Sequence, residues 1–152
     1  MSETWYEDEY KYFHYSNYHR KIEIPKDDWN SRHFASVDKN GNLLGYISYE
    51  IRRINNSICG VGAINFTNNK IVFGKDLVQV IDDIFFKFHH NKIEFSVVVG
   101  NPIEQTYDKL IYKYGGRIVG VRRRQAVLID GLYYDDKLYE ILNEDYIAAR
   151  NH

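Results

Sequence analysis

The chain has 152 residues, 44% of them apolar and 27% charged, with a formal net charge of −1 at pH 7. This composition excludes a disordered chain, and the length suits one domain, 1–152, whose core needs no covalent staple. Near-neutral charge gives no reason to expect nucleic acid or an acidic membrane surface as a partner. The single cysteine, Cys59, excludes an internal disulfide and a cysteine-rich metal site, so no metal is expected.

The stretch from Met1 to Tyr18 is rich in aromatic and charged residues and has no apolar run. It reads as neither a signal peptide nor a membrane span, and a cytoplasmic protein is the expectation. Residues 1–33 have mixed periodicity and read as a short helix or two with irregular structure.

Phe34–Val37 is a short β-favouring run, and Asp38-Lys39-Asn40-Gly41-Asn42 carries a hairpin turn signal. Leu43–Ile54 reads as a second strand. After the turn Asn55-Asn56-Ser57, the apolar run Ile58–Phe66 reads as a strand buried on both faces, with Gly60 and Gly62 marking a bulge or a close backbone approach. Thr67–Lys70 is a loop. Asp76–His90 is the clearest helix, with Leu77, Ile81, Ile84, Phe85 and Phe88 on one stripe.

Lys92–Val99 is a strand stopped by Gly100-Asn101-Pro102. Ile103–Tyr114 is a second helix, with Ile103, Tyr107, Leu110, Ile111 and Tyr114 on its stripe and Gly115-Gly116 as its stop. Arg117–Ile129 is strand-like, with a break expected near Arg122–Arg124. Tyr133–Leu142 follows the Asp130-Gly131 turn as a last strand. Strand, helix, strand in succession implies a parallel pair with the helix packed on the sheet. The fold class is α/β (α+β): a mixed, mostly antiparallel sheet of six or seven strands with helices on its faces.

This order resembles the GNAT superfamily of N-acetyltransferases over about residues 34–142. The resemblance implies that two central strands, Ile58–Phe66 and Lys92–Val99, splay apart and that acetyl-coenzyme A lies in the opening. Helices are implied on both faces of the sheet. The family's pyrophosphate loop, Gln/Arg-x-x-Gly-x-Gly/Ala, aligns with Asn69-Lys70-Ile71-Val72-Phe73-Gly74, where only the final glycine matches. A helix start is a natural anion site, because its first amides are unpaired and its dipole is positive there. The resemblance therefore implies that Asn69, Val72, Phe73, Gly74 and Lys75 surround the pyrophosphate, ahead of a helix beginning at Asp76. Backbone groups at Ile64, Asn65 and Phe66 are implied to pair with the pantetheine arm, and Asn101 to touch the cofactor.

The family's helix tyrosine protonates the leaving thiolate, which is reasonable chemistry for a phenol. Tyr107, on the apolar stripe, is the preferred match. Tyr112 is second, since helical geometry turns it about 180° from that stripe. The family often carries a glutamate base on the strand matched here by Ile58–Phe66, which has no acid. Glu50, on the preceding strand, is the nearest candidate. The implied activity is acetyl transfer to a primary amine, from a small-molecule or peptide acceptor left open, and a homodimer is admitted. The rival is a coenzyme A-binding regulatory protein on the same scaffold, weak or inactive in catalysis.

Other features have plainer readings. His89-His90 lie about 100° apart on a helix end and do not chelate one metal. Arg122-Arg123-Arg124 reads as a solvated run and Tyr133-Tyr134-Asp135 as sheet packing. No Ser-His-Asp order, P-loop or glycine-rich nucleotide fingerprint is present.

Overall fold

The structure, a computed structural model, describes residues 11–12 and 23–152. The helical amino-terminal region expected before residue 33 falls mainly outside these residues. The described chain runs β1 (Ser31–Val37), β2 (Leu43–Arg52), β3 (Ser57–Asn65), α1 (Lys70–Asp82), β4 (Lys92–Val98), α2 (Glu104–Lys113), β5 (Arg117–Val127), β6 (Tyr133–Leu142) and α3 (Asn143–Arg150). The six strands form one sheet in the order β1-β2-β3-β4-β6-β5. Only β3 and β4 run parallel. This is the mixed, mostly antiparallel sheet that the element order implies.

The β1–β2 turn closes on Asp38, whose carboxylate accepts from the amides of Asn40 (2.8 Å) and Asn42 (2.9 Å) and from the Asn42 side chain (2.8 Å). Gly41 supplies the left-handed backbone at φ 82°. In β5 the expected break is a register shift between Arg122 and Ala126, with Arg124 at φ 52° and its amide held by Asp135 at 2.7 Å.

One core cluster joins the sheet to all three helices. Tyr49, Ile58, Ile93, Tyr139 and Ile141 meet Ile84 and Phe85 after α1, Ile111 on α2 and Tyr146 on α3. Helices were expected on both faces, and the three described helices gather on this one. α3 closes the core: Tyr146 is fully buried, stacks on Phe85 at 4.7 Å and donates to Asp82 at 2.8 Å. The sequence reading stops at Leu142 and does not contain this helix. Its apolar residues, Tyr146, Ile147 and two alanines, are consecutive and make no visible stripe.

α1 begins at Lys70, six residues before the expected start, because Asn69 caps it. The Asn69 side chain accepts from the Val72 amide at 3.2 Å. Leu77 to Phe88 carry the periodic stripe, whereas the first turn buries only Phe73 and gives no periodic signal. Beyond Asp82 the helix widens into a π turn, Asp83–Lys87, and stops at His89, which takes φ 52°.

His90 is buried at this stop. Its Nδ1 sits 2.7 Å from Asn56 Oδ1, and its Nε2 has no partner. The Asn56 amide donates to the His89 carbonyl, which assigns Oδ1 as the acceptor facing His90. Burial, then the charges of Arg32 and Arg53, push the imidazole below its ordinary value. Neutral His90 is therefore the folded form. Its contribution is complete above the unfolded value, about 6.5, and is lost as pH falls through the lower folded value. The melting temperature should drop between pH 7.5 and pH 5, and His90→Gln should flatten part of that drop. An unchanged slope in the variant would contradict the assignment.

Candidate active site

The site follows from where β3 and β4 stop pairing. They share only two pairs, Ser57↔Lys92 and Ile58↔Ile93, whereas β4 pairs with β6 over seven positions from Lys92 to Val98. A bulge starts the separation. Gly60 and Val61 on β3 stand against Tyr49 on β2, so the register slips between Ser48↔Gly62 and Glu50↔Cys59. An extra residue increases local twist and bends the strand. Gly60 takes φ 55°, a conformation that strains any residue with a Cβ. Past Ile58, β3 therefore turns away from β4 and leaves backbone groups along both inner edges open to a ligand.

The opening is a cleft between the two strands, α1 and α2, part of it open to solvent. Val61 and Ala63 of β3, Phe95 and Ser96 of β4, and Tyr107 and Leu110 of α2 are among its lining residues. The walls are mostly apolar.

Tyr107 lines this cleft. Its ring meets Phe95 edge-on at 5.4 Å and Tyr139 at 6.3 Å. Burial raises its phenol above the ordinary value, and its hydroxyl has no hydrogen-bond partner among the described residues. A network behind the ring holds α2 in place. Lys137 reaches Glu104 at 2.8 Å and Asp108 at 2.9 Å, and Tyr139 donates to Asp108 at 2.7 Å. The Lys137 ammonium holds both carboxylates below their usual range. Glu104 also accepts from the Gly100 amide at 3.0 Å, which ties the turn after β4 to the helix. Tyr112, the second choice, is 69% exposed and lies outside the cleft.

Glu50 is exposed on β2. Its carboxylate end lies over Gly60, where a Cβ would come within 3.1 Å of it. It faces the bulge but lies outside the apolar cleft. Asn101 uses its side-chain oxygen to cap the amide of Ile103 at 3.1 Å, which leaves its side-chain NH₂ available.

The residues expected around a pyrophosphate are arranged differently from the sequence reading, because α1 starts early. Val72, Phe73, Gly74 and Lys75 lie inside the helix rather than in a loop before it. Asn69 claims the Val72 amide, and the Phe73 amide bonds the Asn69 carbonyl. Phe73 is buried against Gly45, where a Cβ would stand 2.4 Å from the ring. The Phe66 amide bonds the Leu44 carbonyl of β2 at 2.8 Å, and Ile64 is buried. Asn65 spends its side-chain oxygen on Thr67. At the helix tip, the amide of Ile71 has no partner among the described residues. Lys70 and Lys75 are exposed beside it, and a Cβ on Gly74 would meet open space. An unclaimed amide, two lysines and a helix dipole still fit an anion, although with fewer free amides than the alignment implies.

Among the described residues no group of three or more His, Cys, Asp or Glu side chains is arranged to hold a metal. No described helix is long and apolar enough to cross a membrane.

A mixed sheet unzipped between two parallel central strands, with a tyrosine-bearing helix over the gap, defines the GNAT class. The same architecture appears in solved structures of spermidine/spermine N-acetyltransferase SpeG from Vibrio cholerae. One, in complex with manganese ions, is 26% identical with a TM-score of 0.69, over 82% of this chain and 72% of that one. A mutant of that enzyme is 28% identical at a TM-score of 0.68, over 82% and 72% of the two chains. A chimera of it is 26% identical at 0.67, over 80% and 74%. No family model matches the chain, and no curated protein sequence matches it. The chain is a GNAT-superfamily protein of the N-acetyltransferase type.

Proposed function

We propose that this protein is an acetyl-coenzyme A-dependent N-acetyltransferase whose acceptor is a primary amine of the polyamine type. The unzipped β3–β4 pair with Tyr107 in the gap carries the reading. The amine class rests on the likeness to the spermidine N-acetyltransferases. Bound acetyl-coenzyme A supplies an activated thioester. Open backbone groups of β3 beyond Ile58 bind its pantetheine arm as an added strand would be bound. Val61, Ala63 and Phe95 exclude water from it. The Ile71 amide, Lys70 and Lys75 face its phosphates, and the Asn101 side-chain NH₂ is free to donate to it. Tyr107 presents a hydroxyl proton at the inner end of the cleft, and burial keeps that proton in place until a thiolate draws it.

Thiol release from acetyl-coenzyme A, measured against linear diamines, polyamines, simple monoamines and peptides, tests the reading. Turnover highest with a polyamine supports it. Turnover only with peptides would move the acceptor class, and none with any amine would defeat it. A second reading, cofactor binding with little turnover, draws on the helix tip, where Asn69 and Asn68 already occupy the Val72 and Lys70 amides. Coenzyme A binding without thiol release would favour it.

A further inference from the structure

The sheet face opposite α1, α2 and α3 holds a carboxylate that the reading above does not use. Asp136 on β6 is only 4% exposed, and its Oδ1 is buried without a hydrogen-bond partner. Its neighbours Lys137 and Tyr139 reach Asp108 on α2. Strand alternation therefore turns Asp136 and Leu138 to the opposite face. The same alternation on β4 sends Phe95 and Val97 into the helical core and Ser96 and Val98 to the other side. The register Val98↔Asp136 and Ser96↔Leu138 places Ser96 and Asp136 diagonally on that face. Ser96, and Arg122 on β5, opposite Asp136 in register, are the polar groups that favour its ionised form against burial. Tyr134 and Leu138 share its face on its own strand.

Ser96 also lines the cleft that Tyr107 lines. Across the gap, Gly60 and Gly62 of β3 carry no side chains, and the Glu50 carboxylate lies over Gly60. A buried carboxylate with an idle oxygen is unfavourable unless something uses it. Burial raises its carboxyl above the ordinary value, which makes it a better base than the exposed Glu50.

We propose that Ser96 and Asp136 take the proton from the acceptor amine on the sheet face opposite Tyr107; this rests on the acetyl-transfer reading. The amine nitrogen bonds to the thioester carbonyl carbon and the carbon–sulfur bond breaks. The nitrogen's proton passes to Ser96 Oγ as the Ser96 hydroxyl proton passes to Asp136. The Tyr107 hydroxyl proton goes to the departing sulfur. Exchange with water then restores Tyr107 and discharges Asp136. Ser96 touches the amine, and Asp136 acts through it.

The test compares wild type with Ser96→Ala, Asp136→Asn and the double variant in the thiol-release assay with spermidine. Each single variant should lower kcat about 10- to 100-fold with KM for acetyl-coenzyme A within twofold. The double variant should lose no more than the worse single, because the two residues act as a unit. A kcat within threefold of wild type in either variant, or losses that multiply, would overturn the proposal. If wild type itself releases no thiol, the acetyl-transfer reading and the pair fail together. Active wild type with active variants defeats the pair alone.

A second readout needs no activity. A raised folded value means that stability is present below the unfolded value, about 3.9, and is lost as pH rises through the folded one. Asp136→Asn should therefore melt above wild type at pH 8, with the gap closing toward pH 4. A gap independent of pH would also overturn the proposal. Ser96→Ala leaves the carboxylate in place, so the kinetic test stands even if Asp136→Asn does not fold.

Discussion

Tyr107→Phe is expected to lower kcat about 100- to 1,000-fold while leaving KM for acetyl-coenzyme A within a few-fold. The substitution removes one oxygen and keeps the ring. The edge-on contacts with Phe95 and Tyr139 should survive, because they involve ring atoms alone. No partner group is orphaned, since the hydroxyl has none among the described residues, so stability should hold or rise slightly. The loss falls on the step in which sulfur leaves, and a general acid acts only there. Tyr112→Phe is the matched control, because Tyr112 is 69% exposed outside the cleft, and its kcat should be unchanged. Steady-state thiol release on both variants checks the pair of outcomes. Near-normal turnover in Tyr107→Phe, or a large loss in Tyr112→Phe, would reassign the acid.

Ala63→Trp is expected to abolish coenzyme A binding. Ala63 lines the cleft from β3, in the part of the strand that has already separated from β4. An indole there occupies the space a pantetheine arm needs, and its bulk projects into a gap rather than into packed core. The fold should therefore tolerate it better than an equal change at fully buried Ile58. Coenzyme A at 100 times its dissociation constant should stabilise wild type by about 2.7 kcal/mol. The variant should show almost none of that at the same concentration. Differential scanning fluorimetry with and without coenzyme A reads the difference. Equal stabilisation of both proteins would place the ligand elsewhere.

Sequence and structure agree where periodicity was strong. The alternating runs and Asn-Gly turn gave β1 and β2, and the apolar stripes gave the helices on either side of β4. Tyr107 was legible because its position on the α2 stripe put it under the sheet. Gly60 and Gly62 marked the bulge that opens the gap. The start of α1 was not legible, because a cap by Asn69 is a side-chain hydrogen bond and leaves no periodic trace. That error moved Val72, Phe73, Gly74 and Lys75 from loop to helix and reduced the free amides at the anion site. α3 was missed because its four apolar residues, Tyr146 to Ala149, are consecutive and form no periodic stripe. Asp136 was missed because a lone acid in a strand reads as solvated. Its burial is a property of the tertiary fold that no local pattern carries.

The central claim is that the unzipped inner edge of β3 receives the thioester carrier. Amide hydrogen exchange along β3 and α1, measured with and without coenzyme A, tests it most directly. Protection should rise at the β3 amides between Cys59 and Ile64 and at Ile71, with β5 unchanged. Protection confined to other strands, or no change along β3 under saturating coenzyme A, would contradict the account.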